Sequence, residues 1–111
     1  MAINFIPSKN VNPTKPYLIV NSQAASYDVY YTILDITGRG ILNRMVNDED
    51  DTIVYRITVD GVSSEVSFWT VSVDSQFFPN IRFYNSLKIE MKTKTITPTP
   101  TVITQMEYAL E

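Results

Sequence analysis

Residues 52–73 constrain the fold more than any other stretch. They read Thr-Ile-Val-Tyr-Arg-Ile-Thr-Val-Asp-Gly-Val-Ser-Ser-Glu-Val-Ser-Phe-Trp-Thr-Val-Ser-Val, two runs of β-branched and aromatic residues that meet at Asp60-Gly61. An Asp-Gly pair between alternating apolar runs is a strong hairpin signal, because both central positions of the tight turn need positive φ. Ile53, Tyr55, Ile57 and Val59 share one face and Val54, Arg56 and Thr58 the other.

The rest of the chain continues in the same register of signals. Residues 17–21 form a short strand. Residues 27–36 follow as a long apolar run in which Val29, Tyr31 and Ile33 alternate against Tyr30, Leu34 and Ile36. A strand apolar on both faces is covered on both, by a loop of its own domain or by another subunit. Residues 41–46 and 81–84 read as further strands. Residues 87–95 alternate Leu87, Ile89 and Met91 against Lys88, Glu90, Lys92 and Lys94, and a lysine-bearing outer face resists sheet-to-sheet aggregation. Residues 102–110 carry Val102, Thr104, Met106 and Tyr108 on one side. About seven or eight short strands with turn signals between them give an all-β chain, an antiparallel, jelly-roll-like β-sandwich.

The domain is expected over residues 17–111, preceded by an extended arm over residues 1–16 in which Pro7, Pro13 and Pro16 disfavour helix and inner strand alike. Ile3, Phe5 and Ile6 on that arm either pack on their own domain or dock on a neighbour. The Thr-Ile-Thr-Pro-Thr-Pro-Thr run at residues 95–101 reads as a mucin-like segment or, preferably, as a stiff connector that carries the last strand toward a neighbouring protomer. On that reading Val102, Met106 and Tyr108 contact another copy.

Composition narrows the chemistry. The 111 residues contain no His and no Cys. The usual general base near neutral pH, the thiolate nucleophile, disulfides and soft metal sites are therefore all missing. A formal charge of −3 argues against nucleic acid as a partner. No apolar run approaches the roughly 20 residues that span a bilayer, so membrane insertion is not expected, and the first residues do not read as a secretory signal. The acidic residues 47–51 could attract Ca²⁺ but lack the spacing and the glycine of a calcium loop, so a solvated loop is the better reading. Asp28, Asp35, Asp60 and Asp74 could furnish a carboxylate pair, but Asp60 is already accounted for by its turn and Asp74 by a strand end. The chain is expected to be non-enzymatic and to use no cofactor.

Thirteen aromatic residues (seven Tyr, five Phe, one Trp) remain as contact material. Tyr30-Tyr31, Phe77-Phe78 and Phe83-Tyr84 come as adjacent pairs, whose members point to opposite faces of a strand. Tyr30, Phe77 and Phe78 are read as interface residues, and Trp69 and Tyr84 as platforms on which a cell-surface glycan could stack. Core packing is the competing reading for each.

Residues 33–46, Ile-Leu-Asp-Ile-Thr-Gly-Arg-Gly-Ile-Leu-Asn-Arg-Met-Val, with Val-Tyr-Arg-Ile-Thr-Val-Asp-Gly-Val at 54–62, resemble small all-β virion proteins of tailed bacteriophages and prophages. In those proteins an I-x-G-x-G-x-L strand-turn precedes a polar insertion and an I-T-V-D-G hairpin. The resemblance implies a structural or attachment component of head, neck or tail. Such a component is oligomeric, touches other virion proteins and is assembled in the host cytoplasm. A carbohydrate-binding module that recognises host-surface glycans is the alternative.

Overall fold

The computed structural model describes residues 14–48, 52–67, 79–94 and 101–111. Among these residues eight strands are present: β1 (Lys15–Ala24), β2 (Tyr31–Thr37), β3 (Gly40–Asn47), β4 (Ile53–Val59), β5 (Val62–Val66), β6 (Ile81–Phe83), β7 (Ser86–Thr93) and β8 (Thr101–Leu110). They form two four-stranded antiparallel sheets, ordered β1-β8-β3-β6 and β2-β7-β4-β5. The pairs β1–β8, β2–β7, β3–β6 and β4–β5 nest inside one another like a long hairpin rolled up, and β3–β8 and β4–β7 complete the two sheets. That nesting is the jelly roll.

The Asp60-Gly61 signal is realised as expected. Asp60 and Gly61 have φ of 51° and 87°, so the backbone twist of the turn matches that of β4 and β5. Ile53, Tyr55 and Ile57 of β4 are buried. They meet Leu87, Ile89 and Met91 of β7, all fully buried, and from the other sheet Leu42, Met45, Val102 and Met106. A buried polar contact spans the core: the Tyr55 hydroxyl and Thr104 Oγ1 lie 2.7 Å apart, joining β4 to β8, and Asn47 of β3 also hydrogen-bonds Tyr55.

Two bulges resolve positions where strict alternation fails. The β2–β7 register shifts between Thr32 and Leu34, which inserts Ile33 as an extra residue. Ile33 and Leu34 are consequently both buried at 8% exposure although adjacent in sequence. The run at 27–36 therefore needs neither a covering loop nor another subunit to bury both residues. A second shift in β3 between Leu42 and Arg44 re-aims Arg44 onto Glu107, its ion-pair partner. Gly40 is required for a different reason. A Cβ there would lie 2.1 Å from the Ala109 carbonyl oxygen and 2.9 Å from the Phe83 ring.

The last strand departs from expectation. β8 is hydrogen-bonded on both sides within its own chain, to β1 and β3, so no neighbouring protomer is needed to complete it. Val102 and Met106 are 0% exposed and Tyr108 6%. These three are core residues, not contact residues. Their one-sided alternation faces the opposite sheet.

Candidate functional site

The outer face of the β2-β7-β4-β5 sheet carries a polar network built on one cross-strand row. Arg56 on β4 is registered against Glu90 on β7 and Glu65 on β5. Its guanidinium grips Glu90 with two bonds, Nε to Oε1 at 2.8 Å and Nη2 to Oε2 at 2.9 Å. Hydrogen bonding from Arg56 holds the Glu90 carboxyl below its ordinary range. The Tyr30 ring lies 4.1 Å from the Arg56 guanidinium and 4.7 Å from the Lys92 ammonium. Its hydroxyl donates to Glu65, and Lys92 also binds Asp28 at 3.0 Å. Burial, then the bond to Glu65, pushes the Tyr30 hydroxyl up to about 12. Tyr30, expected at an interface, is thus engaged within its own domain as a half-buried brace across β4, β5 and β7. Arg56 is paired with Glu90 and Lys92 with Asp28, while Glu65 is held by the Tyr30 hydroxyl.

The carboxylates do not converge. Asp28 is tied to Thr93 at one end of β7, and Asp60 to Ser86 at the other. Seven residues of strand separate them by about 24 Å, well beyond the reach of a carboxylate pair. Asp35 is an exposed β2 residue registered opposite Lys88, and Asp74 lies outside the described residues. Asp48 accepts the Ile103 N–H at 2.9 Å, while the rest of the acidic loop, residues 49–51, also lies outside them. Among the described residues no group of three or more His, Cys, Asp or Glu side chains could hold a metal ion.

Asp60 has a second role that its turn position concealed. Its carboxylate accepts the backbone N–H groups of Tyr84, Asn85 and Ser86 at 3.0, 2.6 and 3.0 Å, clasping the β6–β7 turn where the chain crosses between sheets. Slight burial acts to raise its pKa, but the bonds from Ser86, Asn85 and Tyr84 prevail and hold the carboxyl below its usual value of 3.8. The fixed turn presents Tyr84, 39% exposed, with the Arg39 guanidinium 5.9 Å from its ring centre. Trp69, Phe77 and Phe78 lie outside the described residues, as do Ile3, Phe5 and Ile6.

Among the described residues, apart from the exposed Tyr27, Val29 and Tyr31, apolar surface collects in two places. A groove of about 360 Å³ is lined by Ile57, Val59, Val62, Val66 and Ile81, with Ser64 as its one polar side chain. The second place is β1. Its odd-numbered residues face the core side, where Tyr17 stacks on Tyr108 with ring centres 5.1 Å apart, while Leu18 and Val20 point outward, each 58% exposed. Across β8 their outward neighbours are Glu107 and Gln105, and Ile103, 41% exposed, lies opposite Ser22.

Among the described residues, the four sheet edges differ sharply in how they are protected. β6 is three residues long and β5 five, β2 carries a bulge and the exposed Asp35, whereas β1 runs ten residues in unbroken register with β8. After Lys15 its remaining residues, through Ala24, carry no charged side chain. The sequence contained a usable cue, since proline at the head of a strand marks an edge and Pro16 is followed by Tyr-Leu-Ile-Val. Comparison with family models, with curated proteins and with solved structures finds no match for this chain.

Proposed function

We propose that this chain is a non-enzymatic structural protein of a bacteriophage virion, a head, neck or tail component that acts through contacts with copies of itself and with other virion proteins. The observation that carries the reading is β1, a long, bulge-free and apolar sheet edge on an otherwise well-protected domain. The likeness of residues 33–62 to small virion proteins supports it. The jelly roll, which serves in capsid proteins and in lectins, is compatible with it but carries no function alone. The test is mass spectrometry of purified particles released by cells carrying this gene. The expected result is the protein at a fixed ratio to the other shell or tail components. Particles that are complete without it would overturn the proposal.

Carbohydrate recognition on the host surface is the second reading, supported by Tyr84 held out on a clasped turn beside Arg39. Aromatic rings backed by a hydrogen-bonding cation suit the apolar face of a sugar. A glycan array distinguishes it: binding lost in Tyr84→Ala would support recognition, and a blank array would end it.

A further inference from the structure

We propose that β1 pairs antiparallel with β1 of a second copy, across a two-fold axis centred on Ile19, to fuse two β1-β8-β3-β6 sheets into one of eight strands. The inference rests on the reading of β1 as a contact surface, not on the virion role itself.

The register follows from side-chain parity. In a continuous sheet, directly opposed residues must point to the same face. Odd residues of β1 face the core side and even residues face out, so opposed positions must sum to an even number. Centring on Ile19 sets Leu18 against Val20 of the partner subunit, twice per dimer. The two most exposed apolar side chains of the strand thereby cover each other, and Tyr17 falls opposite the partner's Asn21. Centring on Val20 would instead leave each Leu18 opposite Ser22 and keep a single apolar pair, Val20 on Val20. Charge favours the antiparallel sense as well. Lys15 is the one charged residue of β1. The axis puts the two lysines about 27 Å apart, where a parallel pairing would set them side by side. Pro16 has no N–H to give, but it sits near the end of the ladder and removes at most one bond per protomer. The contact is isologous and closes at two copies.

Sedimentation equilibrium and multi-angle light scattering over a hundredfold concentration range test the proposal, with circular dichroism to confirm folding. The wild-type chain is expected to show a reversible monomer–dimer equilibrium. Leu18→Lys with Val20→Lys places like charges opposite each other and should weaken the dimer at least tenfold, both sites being solvent-exposed and harmless to the core. Leu18→Lys with Val20→Glu carries just as many foreign charges, but in this register each introduced lysine meets an introduced glutamate of the other copy and the dimer is retained. The Val20-centred register would oppose one glutamate to the other and dissociate it. A wild-type monomer at every concentration, a trimer or ring, or equal behaviour of the two double variants would each overturn the inference. None of these results depends on whether the protein is found in particles, so either proposal can fail alone.

Discussion

Replacing Asp60 with Asn keeps a residue that tolerates left-handed backbone but removes the charge that three N–H groups converge on. Asp60→Asn is expected to destabilise the fold by about 1 kcal/mol at pH 7, a figure already reduced for a partly solvated carboxylate, as read by urea denaturation. The folded pKa lies below the ordinary 3.8, so the carboxylate's contribution is complete above that pH and is lost as pH falls through the folded value. The difference between wild type and Asp60→Asn should therefore shrink below about pH 4, which the same titration at pH 3 checks. Tyr55 gives the opposite sign. Burial pushes its hydroxyl up to about 12 from 10.0. Its contribution is complete below pH 10 and is lost as pH rises toward 12. Tyr55→Phe leaves Thr104 without this bond between the sheets and should cost about 1–2 kcal/mol at pH 7. Its chemical-denaturation midpoint should also fall less steeply than that of the wild type above pH 10.

At the scale of strands, Gly40 marks a close approach between β3 and β8, and Gly40→Ala would drive a methyl into the Ala109 carbonyl. A loss of about 3 kcal/mol, measured as a lowered denaturation midpoint, is expected because backbone rather than a flexible side chain stands in the way. Such close approaches explain what the sequence could and could not reveal. The β4–β5 hairpin, the inward row of β7 and the buried face of β8 are all legible, because alternation and turn chemistry are local properties. Ile33 and Asn43 are not legible as bulge residues, since an extra residue is defined only against the partner strand. The same limit underlies the expectation that β8 leaves its own domain: a proline-rich connector says nothing about which strands wait at its far end. Tyr30 stands out in the sequence while its place does not, its partners Arg56, Glu65 and Lys92 being 26 to 62 residues away. The clasp of Asp60 on residues 84–86 is hidden for a similar reason.

The whole molecule is organised around its most distant pairing. β1 and β8, at opposite ends of the described chain, lie side by side, and β8 is central to its sheet. Removing residues 101–111 would strip β1 and β3 of their shared neighbour, and the truncated chain is expected to lack cooperative unfolding by calorimetry. Because that pairing closes a loop of nearly full length, refolding should take roughly milliseconds to seconds, as stopped-flow tryptophan fluorescence can record. The same pairing has a mechanical meaning. Lys15 sits directly opposite Leu110, and the bonds between antiparallel strands run crosswise to them. Tension drawn through the two tails would therefore open the seam one rung at a time, like a zip, instead of shearing all the rungs together. A domain strung that way yields to a gentle tug however well it withstands heat, so any load it carries in an assembly is best borne sideways, through its flanks.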